Sequence, residues 1–156
     1  MARRTLVKST LLVIGMAVAY AFLPLRGQGW WIGAAAGVAA IVGIMPITIR
    51  RLHAVRQADK PVLAALEAIT LLVAMLLFGF AAVYFAIDVD HGQFNGLETR
   101  LDAIYFTVVT LSTVGFGDIT ATGQAARAIV IVNVLANLIF LGVVVRVMAR
   151  AAGAIH

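Results

Sequence analysis

The nonapeptide TLSTVGFGD, residues 110–118, lies between two long apolar segments and interrupts them with two closely spaced glycines. Gly115 and Gly117 can adopt positive φ angles, which most side chains disfavour. When such residues alternate with bulkier ones, successive carbonyl groups can turn to the same side of the chain. We therefore expect an irregular loop whose carbonyl oxygens face one axis, where a ring of them from several chains can replace the water around a monovalent cation.

The composition is that of a membrane protein. The 156 residues are 63% hydrophobic and 12% charged, with a mean hydropathy of +1.04, far from an ordinary soluble domain. The formal net charge is +5, but the basic residues flank apolar segments and form no long patch, so a nucleic-acid partner is not expected. The chain has no cysteine and no HExxH motif, which gives no support for a thiolate metal site or an intramembrane enzyme.

Four apolar segments predict four transmembrane helices, so the expected fold is an all-α membrane protein. They cover residues 10–25, 30–49, 62–87 and 124–148, and at 1.5 Å per residue about 20 residues cross the hydrocarbon layer. The first segment also has the basic start and small-x-small site of a signal peptide, which is the alternative. Glu67 lies near the inner end of the third helix, where its carboxylate is expected to extend toward the membrane surface or to pair with a basic residue such as Arg56, Lys60 or Arg150. A gating role for Glu67 is the alternative.

A shorter apolar helix is predicted before the glycine-containing loop. Residues 88–98 are polar and turn-rich and read as an exposed loop, and Thr99 and Asp102 then have the spacing of a capping box. The segment 100–111 is too short to span a bilayer. It is predicted to be a re-entrant helix, buried by protein and not by lipid.

The distribution of basic residues predicts the orientation. Nine of the twelve Lys and Arg residues fall on the side of the two termini. The positive-inside rule makes that side cytoplasmic and the loop external. We expect a multi-pass protein of the plasma (inner) membrane with cytoplasmic N- and C-termini.

Residues 113–118, TVGFGD, closely resemble the selectivity-filter signature of potassium channels, and Phe116 replaces the usual tyrosine. We call them the filter segment. The likeness extends over about residues 62–150 and implies an outer helix, a pore helix, the filter and an inner helix. It divides the chain into residues 1–60, with two helices and a basic linker, and residues 61–156, the pore domain.

The resemblance implies that four chains surround one axis and that K+ is the bound ion, with no other cofactor. The K+ ligands would be the backbone carbonyls of Thr113, Val114, Gly115 and Phe116, with Gly117 completing the filter. The residues that would support the filter are Tyr105, Phe106, Thr110, Ser112 and Asp118, together with Val108 and Val109. Because Phe116 has no hydroxyl to form a hydrogen bond behind the filter, we expect a less braced filter.

Two amides lie deep in the last helix. Asn133 and Asn137 are four residues apart and share one face, and Asn137 lies about 15 Å from the start of the helix near Arg127. We interpret them as lining a water-filled cavity below the filter, with interhelical hydrogen bonding as the alternative. Asn137 stands where related inner helices often carry a hinge glycine, so Gly142 is a possible hinge instead.

These features predict a potassium-selective channel that conducts K+ passively through a homotetrameric pore embedded in the lipid bilayer. No membrane helix repeats arginine as voltage sensors do. The alternatives are a non-conducting or regulatory channel subunit and a weakly selective cation channel. A cation transporter with related loops would need four of them in one chain, and this chain has one.

Overall fold

The computed structural model of the chain describes residues 2–25, 31–32, 35, 37–39, 43, 61–89 and 91–153. Within these residues the helices are α1 (Ala2–Phe22), α2 (Pro61–Asp88), α3 (Arg100–Leu111) and α4 (Gln124–Gly153). Two short strands, β1 (Phe94–Asn95) and β2 (Thr120–Ala121), complete the elements. The second predicted transmembrane helix and the basic linker lie mostly outside the described residues.

Two of the described helices are long and apolar enough to cross a membrane. They are Val62–Asp88, with 27 residues and a mean hydropathy of 2.4, and Gln124–Arg146, with 23 residues and a mean hydropathy of 2.7. The third and fourth predicted helices are therefore confirmed as helices, and α4 extends to Gly153. The apolar part of α1, Ser9–Phe22, is shorter than a span, so the count of four spans stays a prediction.

Helix α2 is the centre of the packing, because α1, α3 and α4 all contact it. Its C-terminal half contributes Phe80, Tyr84 and Phe85 to the main hydrophobic core, and the most apolar stretch of its span is 67% buried. The corresponding apolar stretch of α4 is only 11% buried. Within the described part of the chain, α4 therefore keeps a long apolar face exposed.

Three aromatic rings hold α3 against α2. The ring centroids of Tyr84, Phe94 and Phe106 lie 5.1–5.4 Å apart, all in edge-to-face geometry. The prediction of a wholly exposed loop over residues 88–98 is thus wrong, because Phe94 and Leu97 are buried. The Asp88 carboxylate also turns inward and accepts a hydrogen bond of 2.6 Å from the backbone N–H of Phe94.

Strands β1 and β2 pair antiparallel and connect the chain before α3 with the chain after the filter segment. Phe94 lies opposite Ala121 and Asn95 opposite Thr120. Gly96 has φ +82°, and a Cβ there would lie 3.0 Å from the backbone oxygen of Asp118. This position therefore requires glycine both for its backbone conformation and for the close approach of Asp118.

Helix α3 begins where the sequence predicts. The Thr99 side chain accepts a hydrogen bond from the Asp102 backbone N–H at 3.2 Å, and the Asp102 carboxylate accepts one from the Thr99 N–H at 2.7 Å. This reciprocal arrangement is the predicted capping box. It fixes the first turn of α3 and thereby the direction in which its last turn points.

Near the other end of α2, Glu67 accepts a hydrogen bond from the hydroxyl of Ser9 in α1. The predicted partners Arg56 and Lys60 lie outside the described residues, as does the side chain of Arg150. The contact joins α1 to α2 at the predicted inner side of the membrane.

Candidate functional site

The backbone of the filter segment alternates between two conformations. Thr113, Gly115 and Gly117 have φ angles of 59°, 60° and 79°, whereas Val114 and Phe116 do not have positive φ. The predicted behaviour of both glycines is confirmed. Thr113 was not predicted to adopt positive φ, which is rare for a β-branched residue and costs about 1–3 kcal/mol. Such alternation allows successive carbonyl groups to turn to one side of the chain.

The start of the filter segment is hydrogen-bonded to the end of α3. The backbone N–H of Thr113 donates to the carbonyl of Thr110, and that of Val114 donates to the carbonyl of Val109, both at 3.1 Å. The Ser112 hydroxyl also donates to the Val109 carbonyl at 3.1 Å. These bonds satisfy carbonyls that the end of a helix leaves free, so α3 and the filter segment form one unit.

Tyr105 connects the middle of α3 to the far end of the filter segment. Its hydroxyl donates a hydrogen bond of 2.6 Å to the Asp118 carboxylate. This bond lowers the pKa of the Asp118 carboxyl and raises the pKa of the Tyr105 phenol. Tyr105 and Asp118, two of the predicted support residues, are therefore in direct contact, and the bond braces a segment in which Phe116 lacks a hydroxyl.

The remaining predicted support residues act through α3 itself. The Thr110 hydroxyl donates back to the Phe106 carbonyl at 2.8 Å, inside the helix. The Phe106 ring contacts Tyr84 and Phe94. Phe106 thus packs α3 onto α2 and β1, and its role in backing the filter stays a prediction.

An open recess of about 400 Å³ lies where α3, the filter segment and α4 meet. Its wall includes Thr110 and Thr113 on one side and Asn137, Leu138 and Leu141 on the other. Asn137 is 6% exposed, and its amide Nδ2 donates a hydrogen bond of 3.3 Å to the Thr110 carbonyl. The predicted cavity residue Asn137 therefore borders a recess at the base of the filter segment.

Asn133 does not border this recess. It is 0% exposed, and its Nδ2 donates a hydrogen bond of 2.7 Å to the hydroxyl of Tyr84 in α2. The interpretation of Asn133 as a cavity residue is thus corrected in favour of its alternative, an interhelical hydrogen bond. Helical spacing places Asn133 and Asn137 on one face and both are buried, but Asn133 contacts Tyr84 whereas Asn137 contacts the end of α3.

Gly142 lies inside the continuous helix α4. Within the described residues, and apart from the adjacent backbone of α4, no heavy atom lies within 4 Å of the position that its Cβ would occupy. Close packing therefore does not require glycine here, and the hinge role of Gly142 stays a prediction.

A family model described as ion channel matches residues 70–153, more than half of the chain. The chain belongs to this ion-channel family. The matched range contains most of α2, all of α3, the filter segment and α4. The elements that form the site described above thus lie within the range that the family model matches.

Three curated relatives are potassium channels by name. Two-pore potassium channel 4 of Arabidopsis thaliana is 42% identical over 76 residues, which are 47% of this chain and 25% of the relative. Two pore potassium channel b of Oryza sativa subsp. japonica is 42% identical over 72 residues, 46% of this chain and 20% of the relative. The hyperpolarization-activated voltage-gated potassium channel of Methanocaldococcus jannaschii is 40% identical over 47 residues, 30% of this chain and 22% of the relative.

The chain spans a quarter or less of the length of these relatives. No solved structure gives a significant match. The resemblance to potassium channels is confirmed, and the homologues are ion channels and not enzymes, as the sequence predicted.

Two residues near the site were not predicted from the sequence. Tyr84 is fully buried and accepts the hydrogen bond from Asn133. Arg100 is one of the three basic residues that the sequence places on the side opposite the termini, and its guanidinium donates hydrogen bonds to the end of α1. Tyr84 could have been found because it is a hydroxyl group in an otherwise apolar helix. Arg100 could have been found because it is a cation at the first residue of a helix, where the helix dipole disfavours positive charge.

Proposed function

We propose that this chain forms a homotetrameric, K+-selective channel that conducts K+ passively. The observation that carries the proposal is the alternation of positive φ at Thr113, Gly115 and Gly117, within the range that the ion-channel family matches. Alternating backbone angles turn carbonyls toward one axis, and rings of such carbonyls replace the hydration shell of an ion. The K+ ligands would be the carbonyls of Thr113, Val114, Gly115 and Phe116 with the Thr113 hydroxyl.

A single filter segment cannot surround an ion, and the exposed surfaces support assembly of several chains. Val114 is 54% and Phe116 is 69% exposed in the single chain. The mostly exposed apolar face of α4 borders the recess through Leu138 and Leu141. Four copies arranged around one axis would cover these side chains and convert the recess into a central cavity below the filter.

The proposed membrane arrangement follows from hydropathy and charge. Helices α2 and α4 are the two candidate spans, and α1 and residues 30–49 would supply two more. Residues 61–156 would be the pore domain, with α3 as a re-entrant helix, and residues 1–60 an addition to it. The positive-inside rule supports cytoplasmic termini, an external filter and a multi-pass location in the plasma membrane.

Helix α3 contributes electrostatics and geometry to conduction. Its C-terminal end carries the negative pole of the helix dipole, which favours a hydrated cation in the recess. The carbonyls of Thr110 and Val109 hold the N–H groups of Thr113 and Val114, so the carbonyls of the filter segment keep their direction while an ion sheds water. Since the N–H groups are already bonded, they are not free to turn toward a passing cation.

The test is ion flux into liposomes that contain the purified protein. We expect K+ flux to exceed Na+ flux by a large factor, because the carbonyl ligands match the family of selective channels. Equal permeation of K+ and Na+ by an assembled tetramer would contradict the selectivity. Absence of any flux from an assembled tetramer would favour the second candidate, a regulatory subunit that requires another channel chain.

Removing the Tyr105 hydroxyl should make conduction more sensitive to external acid. The carboxylate of Asp118 has a lowered pKa, so its bond to Tyr105 is present above the ordinary Asp pKa of about 3.9 and is lost as the pH falls through the lowered value. The raised pKa of Tyr105 keeps its O–H protonated beyond the ordinary Tyr pKa of about 10. Between these limits the pair is intact.

In Tyr105→Phe the pKa of Asp118 moves back toward its ordinary value. We expect the midpoint of inhibition by external acid to shift to higher pH and the flux at neutral pH to fall. Flux into liposomes over an external pH series measures both effects. An unchanged midpoint would show that Tyr105 does not hold the ionised Asp118 in the channel, and an unchanged flux at neutral pH would show that their bond does not brace the conducting filter.

A further inference from the structure

Arg100, the first residue of α3, binds the end of α1. Its guanidinium donates hydrogen bonds to the Tyr20 carbonyl and, at 2.7 Å, to the Leu23 carbonyl. The Tyr20 hydroxyl donates back to the Arg100 carbonyl at 2.8 Å. We call these three residues and their three hydrogen bonds the α1–α3 latch.

Aromatic rings enclose the latch. The guanidinium carbon of Arg100 lies 5.9 Å from the ring centroid of Tyr20 and 5.6 Å from that of Phe85 in α2, within the range of cation–π attraction. Tyr20 itself is only 4% exposed. The cation is thus held by two carbonyls and two rings at the meeting point of α1, α2 and α3.

Arg100 is better suited to α1 than to its own helix. A cation at the first turn of a helix opposes the helix dipole, whereas a cation at the last turn of α1 complements it and satisfies carbonyls that the helix leaves free. The planar fork of arginine can reach two carbonyls at once, which lysine cannot do in the same way. The position of Arg100 is therefore explained by its contact with α1.

The latch is at one end of α3 and the filter segment is at the other. Helix α3 has 12 residues, about 18 Å of rigid helix, and ends in the bonds from Thr113 and Val114. Any tilt of α3 at Arg100 therefore moves the carbonyls that hold the base of the filter segment. That segment already contains the strained Thr113, so it is sensitive to a loss of support.

Helix α1 is outside the range matched by the ion-channel family, which begins at residue 70. Its other end is joined to α2 through Ser9 and Glu67. Helix α1 is thus bonded to α2 near Ser9 and to α3 near its C-terminal end. This gives an element outside the matched family range a direct connection to the helix that supports the filter.

We propose that α1 stabilises the conducting form of the filter through Arg100, which acts as a positioning residue for ion conduction. The inference rests on the proposed function, because it assigns α1 a role in the conduction of K+. Loss of the latch lets α3 tilt and shifts the filter toward a non-conducting form. Bound K+ favours the conducting form, so the loss is greatest at low K+ concentration.

The test compares Arg100→Met, which keeps the apolar stem, with Arg100→Lys and Tyr20→Phe. Arg127→Met is the matched control, because Arg127 also bonds a backbone carbonyl, that of Ala121 at 3.3 Å, but lies in α4. We expect sustained K+ flux at low K+ to fall about tenfold in Arg100→Met and less in the other two latch variants. Raising the K+ concentration should restore the flux, and Arg127→Met should match the parent.

Hydrogen exchange supplies a readout that does not depend on conduction. In detergent-solubilised tetramers, the N–H groups of Thr113 and Val114 should exchange faster in Arg100→Met than in the parent or in Arg127→Met. If the parent conducts no K+, the proposed function fails, and this exchange measurement still tests the mechanical link.

Three outcomes would overturn the inference. They are unchanged exchange at Thr113 and Val114 in Arg100→Met, flux in that variant equal to the parent at low K+, and a reduced flux that high K+ does not restore. The last outcome would indicate a merely structural role for Arg100. If Arg100→Met does not assemble, Tyr20→Phe decides, because it removes one hydrogen bond and keeps the ring.

Discussion

Replacing Gly115 by alanine should abolish selective K+ flux while the tetramer still assembles. Gly115 has φ +60°, and apart from its two neighbours no heavy atom of the described residues lies within 4 Å of the position that a Cβ would take. The cost within one chain is therefore that of the left-handed conformation, about 1–2 kcal/mol for a residue with a side chain. A filter made of four segments bears this cost four times, which is about 4–8 kcal/mol. A cost of this size lowers the population of the conducting form roughly a thousandfold or more.

Gly142→Ala is the matched control. It is the same chemical change in the same pore domain, again with no heavy atom within 4 Å of the new Cβ, but inside helix α4 and without a positive φ. Alanine is favoured over glycine in a helix by about 1 kcal/mol. We therefore expect Gly142→Ala to keep its K+ selectivity, and a change in its opening would support the hinge role.

The measurement is K+ and Na+ flux into liposomes, with assembly checked by size-exclusion chromatography. Selective K+ flux retained in Gly115→Ala would show that the filter lies elsewhere in the chain. Loss of flux in both variants would show that the pore domain does not tolerate added methyl groups, and the effect would then not be specific to positive φ.

Local signals predicted the elements that determine the architecture. Long apolar runs identified α2 and α4, and the spacing of Thr99 and Asp102 gave the first residue of α3. The two filter glycines were predicted from their type alone, because only residues without a side chain adopt positive φ at little cost. Each of these features depends on neighbours within a few residues or on composition.

The features that were missed depend on specific contacts that residue type and apolar patterning do not indicate. Thr113 adopts a φ that its own side chain disfavours, and it does so where its N–H is bonded to Thr110. Phe94 is buried in an otherwise polar loop because Tyr84 and Phe106 provide a surface for its ring. Nothing in the local sequence indicates these partners.

The environments of the two amides of α4 likewise depend on contacts that the sequence does not indicate. Periodicity shows that Asn133 and Asn137 share a face, but that face is wide enough to contact two environments. The first meets the hydroxyl of Tyr84, and the second meets the end of α3 beside the recess. To assign each amide to its own environment, one must know how far α2 extends over this face, and only the packing shows that.

Replacing Asn133 by aspartate should therefore destabilise the protein and should not create a new block of the pore. The side chain is 0% exposed, and its amide donates to Tyr84. A carboxylate at this position would be a buried charge without a cationic partner among the described contacts, which costs several kcal/mol. We expect a lower yield of assembled tetramer and a lower thermal transition in detergent.

A double substitution separates the hydrogen bond from the charge. Asn133→Leu alone leaves the buried Tyr84 hydroxyl unpaired, at a cost of about 1–3 kcal/mol. Adding Tyr84→Phe removes the unpaired group, because replacing both partners of a buried hydrogen bond by apolar groups can be nearly neutral. We expect the thermal transition of the double variant to lie above that of Asn133→Leu and well above that of Asn133→Asp.

Asn137→Asp provides the contrast within the conduction path. Asn137 borders the recess, so four carboxylates there would attract polyvalent cations, and partly desolvated charges interact strongly. Internal Mg2+ or spermine should then reduce outward current at positive voltage and spare inward current. In recordings with internal spermine, the Asn133→Asp channels that do assemble should rectify no more than the parent. Strong rectification by Asn133→Asp would place that residue on the ion pathway and contradict its burial against Tyr84.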